Sequence, residues 1–284
     1  MKSESQHRKD IVEVCKRIHG RGWISSTDGN VSVRLREDRI LITPTGIHKG
    51  FMNERDLIVA DLSGKVIAGR AKPSTEIVLH ATCYRERPEV HAVVHAHPTM
   101  SVAFSLAGIT LAKCMLPEVV FTLGSIPTAD YAPPATEEVA ESIRKYIKEY
   151  DAIILERHGS LTVGPDVFSA YNTLERMEHV AEITYHARQL GAITPLSSAQ
   201  IERLRQVGDR QGWPRRKIAE EACNNCNACG KLDGCGSPPA AAGDGVTQER
   251  VAAAVSSTVV ENPSNDMAAV IAEEVAGAMA RARG

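Results

Sequence analysis

The run Val90-His91-Ala92-Val93-Val94-His95-Ala96-His97 is rich in valine and reads as a buried β-strand. Side chains two apart in a strand share a face, so His95 and His97 project together. Toward the carboxyl end, SVAFSLAG reads as a short helix and EEVAESIRKYIKEY as an amphipathic one. DAIILE is a second buried strand, and a long helix spans residues 167–190. Toward the amino end, STEIVLHATCYRERP reads as a helix with Ser74 and Thr75 as capping-type residues at its start. LIVAD, LSGK and VIAG give strand, turn and strand, while VSVRL and RILIT form a hairpin across a charged turn. Ile11, Val12, Cys15 and Ile18 mark a first helix. Hairpins mixed with helices predict an α/β layered sheet with substantial antiparallel pairing. No internal repeat of solenoid period is present.

The chain has 284 residues, 43% hydrophobic and 24% charged, with a formal net charge of −2. That length suffices for one large domain or one medium domain plus additions, and for a sizeable core without disulfides. The near-neutral balance argues against a general nucleic-acid or membrane-surface binder. MKSESQHRKD is charged throughout and does not read as a signal peptide, and no run approaches a membrane span. The expectation is a cytoplasmic protein with no nucleic-acid or membrane partner.

The cysteines are uneven. Cys15, Cys83 and Cys114 stand apart, whereas Cys223, Cys226, Cys229 and Cys235 crowd together. Thiolates at that spacing suit a second metal, zinc or an iron–sulfur cluster, with free thiols as the plain alternative. The segment GSPPAAAGDG then reads as a flexible linker. After it, VAAAVSSTVV and DMAAVIAEEVAGAMARA read as short helices, the latter with Met267, Ile271 and Val275 on one stripe. The predicted organisation is a domain over 1–211, a Cys-rich segment over 212–236, a linker over 237–246 and short amphipathic helices over 247–284.

His95 and His97, with His158 just after DAIILE, form the strongest constellation. Any one of them alone would read as an ordinary core histidine. Two in alternation inside a valine-rich strand are costly to bury without partners, and three imidazoles are a common zinc ligand set with one position open. Ser74 and Thr75 at a helix start offer backbone N–H groups to an anion such as phosphate. Glu76 lies in the predicted first helical turn beside that site, where the plain reading is a carboxylate that complements the helix dipole. Asp28-Gly29-Asn30 and Thr43-Pro44-Thr45-Gly46 add Gly-relaxed turns and hydroxyls.

TDGNVSVRL, LITPTGIHKG, KPSTE, VVHAHP and ERHGSL occur in the order and spacing of one family. Over roughly residues 8–210 the chain resembles the class II aldolase/adducin family, its L-fuculose-1-phosphate aldolases above all. The resemblance implies an α/β, three-layer class II aldolase-type fold with a central mostly antiparallel sheet, assembled as a homotetramer. It implies one catalytic Zn2+ per subunit on His95, His97 and His158, joined by Glu76 when substrate is absent. Glu76 would be the acid/base; Thr27, Gly29, Asn30, Thr45, Gly46, Ser74 and Thr75 would line the phosphate pocket of a sugar-phosphate substrate. A tyrosine that helps protonate the aldehyde oxygen in the family aligns with Cys114, while Tyr131 matches a different family tyrosine. The same fold carries pentulose-phosphate 4-epimerases, whose pattern has Asp where this chain has Glu76, a dehydratase, and adducin-like binding proteins. The intact histidines and Glu76 favour the aldolase. The tail is similar to the encapsulation peptides of bacterial microcompartment cargo enzymes, implying a largely irregular extension that binds a shell or cargo partner through residues ~266–282.

Overall fold

The computed structural model describes residues 2–111, 116–191, 193–194, 196–214 and 216. The predicted linker and terminal helices, Cys114, and all but the first few residues of the predicted Cys-rich segment, its four cysteines included, lie outside these residues. Helix α1 (Glu4–Gly20) starts at Ser3, whose hydroxyl accepts from the Gln6 N–H at 3.2 Å. Strands β1 (Asn30–Arg36) and β2 (Arg39–Ile42) form the expected hairpin, and β3 (Ile58–Asp61) and β4 (Val66–Ala68) the next. Then follow α2 (Ile77–Glu86), β5 (Ala92–Ala96), α3 (Thr99–Leu106), α4 (Pro117–Thr122), β6 (Thr128–Ala129), α5 (Glu137–Ile147), β7 (Ala152–Leu155), β8 (Gly159–Gly164), α6 (Val167–Leu190) and α7 (Ser198–Gln211). Asp166 caps α6 by accepting from the Phe168 and Ser169 N–H groups, and α7 opens with a Ser197/Gln200 capping box.

Eight strands form one sheet in the order β4-β3-β2-β1-β5-β8-β7-β6, antiparallel except for the β6–β7 pair. The strand read first from the sequence is thus an interior one, flanked by β1 and β8. Its alternation sorts two cores. Ala92, Val94 and Ala96 join Val31 and Val33 against Ile11, Val14 and Ile18 of α1 and Leu174, Met177 and Ala181 of α6. Val93 joins Ile153, Leu161 and Val163 against Leu79 and Cys83 of α2 and Val139, Ile143 and Ile147 of α5. Each fully buried aliphatic side chain contributes about 1.5–3 kcal/mol, so covering both faces is what makes this strand valine-rich. The result is a three-layer α/β fold with a mostly antiparallel central sheet, as expected.

Three details differ from the sequence reading. Helix α2 begins at Ile77, with Glu76 as its N-cap rather than in its first turn. Ser74 and Thr75 precede it in a turn, where the Ser74 carbonyl accepts from Ile77 N–H and its hydroxyl from Glu76 N–H. Strand β5 ends at Ala96, so His97 follows it rather than belonging to it. Strand β8 and helices α4 and α7 carried too little apolar periodicity to be read in advance. Among the described residues no helix is long and apolar enough to cross a membrane.

Candidate active site

Four chain segments meet at one end of β5. His95 is fully buried in that strand, opposite Asn30 of β1 and Leu161 of β8. His97 leaves the sheet with its N–H donating to the Trp23 carbonyl at 2.8 Å. His158 closes the β7–β8 hairpin, its N–H donating to the Leu155 carbonyl. The preceding Arg157 takes φ +59°, a left-handed conformation that costs a non-glycine residue about 1 kcal/mol or more. Its N–H donates to the Ser105 hydroxyl at 3.0 Å, which holds the turn that aims His158.

The three imidazoles converge, with ring centroids 4.8–5.1 Å apart. One ligand nitrogen from each lies within 4.8 Å of the others. His95 Nδ1–H donates to the Ser160 carbonyl at 2.8 Å, which leaves a lone pair on Nε2 facing the site. That Nε2 lies 3.1 Å from His97 Nε2, near the ~3.3 Å edge of a tetrahedron with Zn–N bonds of about 2.0–2.1 Å. Glu76 Oε2 is 3.2 Å from His95 Nε2, and Oε1 is 3.2 Å from His158 Nε2. Apart from that approach to His158, Glu76 Oε1 has no further partner among the described residues, and His158 Nδ1 is buried without one. Three imidazoles and an adjoining carboxylate suit a zinc ion, whose fourth position would be taken by Glu76 or left to substrate.

Burial by itself would push the Glu76 carboxyl up. The His95 charge and hydrogen bonding with His158 and His95 overcome this and hold it well below the usual carboxylate range. His95 is buried too, but Glu76 outweighs that burial and raises it. His97 is lowered to about 3 by burial and then by repulsion from His95 and His158. These shifts describe a site that holds anionic Glu76 among imidazoles.

Of the expected phosphate residues, Asn30 and Ser74 bond directly to Glu76, and the others lie on the segments joined to them. Pro44 bridges Pro73, Thr45 N–H donates to the Lys72 carbonyl, and Ser74 N–H to the Thr43 carbonyl. The Thr45-Gly46 turn thus sits beside Ser74 and Thr75. Thr27 joins through Lys49, whose buried ammonium donates to the Thr27 and Ile47 carbonyls at 2.8 Å each. Thr27, Thr45, Gly46 and Thr75 are exposed, and Gly29, Asn30 and Ser74 are buried. At Gly29 (φ +67°) a Cβ would meet the His95 carbonyl at 3.0 Å and Ile24 at 2.6 Å, so only glycine lets β1 start this close to β5. Asn30 is engaged on both sides of its amide, with one Nδ2–H donating to Glu76 Oε2 at 2.8 Å and Oδ1 bonded to His80. Tyr131 is exposed, and its N–H donates to Glu156.

The sequence reading passed over Lys49, His80 and Gly159. Lys49 lies inside the motif LITPTGIHKG, where the residue pattern assigns it no role. His80 stands four residues after Glu76 on one helix, a signal that was legible. Gly159 lies under both imidazoles, where a Cβ would meet the Ala96 carbonyl at 2.5 Å and His97 Cδ2 at 2.7 Å.

This sheet order and histidine-carboxylate cluster define a class II aldolase-type protein. The chain matches the Class II Aldolase and Adducin N-terminal domain family over residues 9–185, and it belongs to that family. It is 36% identical over 176 residues to an L-fuculose phosphate aldolase of Methanococcus maripaludis, spanning 62% of this chain and 94% of that one. It is 32% identical over 189 residues to a 3-oxo-tetronate 4-phosphate decarboxylase of Pectobacterium atrosepticum, spanning 65% and 86%. Among solved structures it resembles YgbL of Escherichia coli, a putative aldolase/epimerase/decarboxylase, with a TM-score of 0.66 at 28% identity over 72% of this chain and 100% of that one.

Proposed function

We propose that this protein is a zinc-dependent sugar-phosphate aldolase. It would cleave a ketose 1-phosphate of the L-fuculose or L-rhamnulose type to dihydroxyacetone phosphate and a short aldehyde such as L-lactaldehyde. The observation that carries the reading is the convergence of His95, His97 and His158 on Glu76. The likeness to L-fuculose phosphate aldolases supports the substrate class.

Retro-aldol cleavage removes the proton from the C4 hydroxyl, breaks C3–C4 and leaves the electron pair on the donor fragment, which is then protonated at C3. Zinc on the three imidazoles would supply a Lewis acid for that developing charge. Glu76 would deliver and withdraw the proton at the donor carbon, with Oε1 the oxygen on the His158 side. The Thr45-Gly46 and Ser74-Thr75 turns and the Thr27 loop would hold the phosphate, directing binding energy into orientation. The proposal extends to a homotetramer in the cytoplasm. It also takes in two sequence-only assignments: a second metal or cluster at Cys223, Cys226, Cys229 and Cys235, and microcompartment targeting by residues ~266–282.

The similarity to a 3-oxo-tetronate 4-phosphate decarboxylase favours one second reading. Loss of carbon dioxide from a 3-oxo acid phosphate leaves the same kind of charge next to a carbonyl, but its leaving group needs no proton exchange. Cys114, where the family aldolases have a tyrosine, suits that reaction as well. The deciding experiment measures metal content and follows turnover of fuculose-, rhamnulose- and ribulose-type phosphates and of a 3-oxo-tetronate phosphate. Zinc with release of an aldehyde together with dihydroxyacetone phosphate from a ketose phosphate supports the aldolase. Carbon dioxide with dihydroxyacetone phosphate from the 3-oxo-tetronate phosphate, and no aldehyde from any ketose phosphate, replaces it with the decarboxylase. A metal-free protein that turns over none of them refutes both.

A further inference from the structure

The N-cap of α2, Glu76, and its residues His80 and Tyr84 follow four apart, and β1 carries Asn30 and Ser32 two apart. Four helical residues rise about 6 Å and two strand residues about 6.7 Å, so the two rows run in step. The side chains interdigitate. Tyr84 Oη lies 2.7 Å from Ser32 Oγ, and Ser32 Oγ lies 2.6 Å from His80 Nδ1. His80 Nε2 lies 2.5 Å from Asn30 Oδ1, and Asn30 Nδ2 lies 2.8 Å from Glu76 Oε2. Ser32, His80 and Tyr84 are at most 1% exposed, and Asn30 is 3% exposed.

We propose that Tyr84, Ser32 and His80 form a one-way hydrogen-bond relay that fixes the Asn30 amide and, through it, the Glu76 carboxylate, with His80 the positioning residue. The inference deepens the aldolase reading and rests on it for its kinetic consequence. The direction follows from donor and acceptor chemistry alone. A carboxylate only accepts, so Asn30 must turn its NH2 toward Glu76. Its Oδ1 then only accepts, so His80 Nε2 must carry the hydrogen. The neutral ring leaves Nδ1 as an acceptor, so the Ser32 hydroxyl donates to it. Ser32 has spent its one proton, so Tyr84 donates to Ser32. Every link points at Glu76. Tyr84 is itself held, with the Arg34 guanidinium over its ring at 4.7 Å and donating to its carbonyl.

The relay makes the two carboxylate oxygens different. Oε2 is anchored by Asn30, and Oε1 is buried with His158 Nε2 at 3.2 Å as its neighbour and no anchoring amide. A free carboxyl could rotate and exchange them. With Oε2 anchored, one oxygen alone handles the proton, in a fixed position relative to the histidines.

Two measurements on the full chain test this. Ring 15N shifts of histidine-labelled protein, with and without zinc, are expected to give His80 as the neutral Nε2–H tautomer at pH 7. An Nδ1–H tautomer or an imidazolium overturns the relay. In the second, His80→Leu is expected to keep its zinc stoichiometry while kcat falls about 10–100-fold and KM stays within about threefold. His80→Gln, whose amide offers a donor and an acceptor side by side, is expected to recover most of kcat. Equal loss in both variants, or a loss confined to KM, overturns the positioning role. If His80→Leu does not fold, the tautomer and the His80→Gln kinetics decide. An unmodified chain that cleaves no sugar phosphate counts against the aldolase reading alone, and the tautomer then decides the relay.

Discussion

Gly159→Ala would place a methyl group in the space under the histidine cluster. An ideal Cβ there lies 2.5 Å from the Ala96 carbonyl oxygen, 2.7 Å from His97 Cδ2 and 3.1 Å from His95 Cε1. Ordinary contact begins near 3.4 Å, so the carbonyl would have to retreat by about 0.9 Å and the His97 ring by about 0.7 Å. The carbonyl belongs to β5, locked between β1 and β8, so the rings must take up much of the shift. Zinc sites tolerate about 0.2 Å in ligand distance. The variant is therefore expected to lose at least about tenfold in zinc affinity. Its fold should be weakened by about 1–3 kcal/mol of overpacking, seen as a Tm lower by about 2–10 °C. Competition with a chromophoric chelator reads the affinity, and a thermal melt of the metal-free protein reads the fold. Gly20→Ala, where a Cβ meets nothing within 4 Å, is the control and should change neither. A folded Gly159→Ala protein that binds zinc within about twofold of the unmodified chain would refute the assignment of the metal to these rings.

Three further outcomes follow from the same structure. Chelation should abolish turnover and zinc restore it, whereas His95→Ala should bind no zinc and stay inactive in excess metal; a metal titration with rate measurements reads both. Glu178 caps α3 by accepting from the Met100 and Ser101 N–H groups and the Ser101 hydroxyl, so Glu178→Ala should cost about 1–3 kcal/mol in urea unfolding, and Glu178→Gln less. His80 is lowered from 6.5 to about 3, chiefly by burial and then by repulsion from His95. Between those values the unfolded chain binds the proton that the folded one refuses, so this group's contribution to stability falls with falling pH, by about 1.4 kcal/mol per unit. His80→Gln lacks that dependence, so its stability relative to the unmodified chain should rise as pH drops from 6.5 toward 4. Parallel stability curves would contradict a buried neutral His80.

Much of the architecture was legible because apolar period maps directly onto exposure. The Val93/Val94 alternation, the β1–β2 hairpin and the limits of α6 were all read from side-chain pattern. Helix α7 was not, because its signal is a capping box and a glycine stop rather than an apolar stripe, and β8 is framed by glycines. The start of α2 slipped by a turn because Ser74 resembles a cap while serving an earlier turn.

Within the site, the sequence alone determined the residue types that could meet there: paired histidines at strand spacing, a third after the next buried strand, and a carboxylate beside hydroxyls and glycines. Those are local facts, set by the period of a strand and by residue chemistry. Only the tertiary structure decided what each group does with its second partner. Glu76 and Asn30 are 46 residues apart, His80 and Ser32 48, and His95 and the Ser160 carbonyl 65. Hydrogen bonds depend on direction over a few tenths of an ångström, and that geometry exists only once β1, β5, β8 and α2 are packed together.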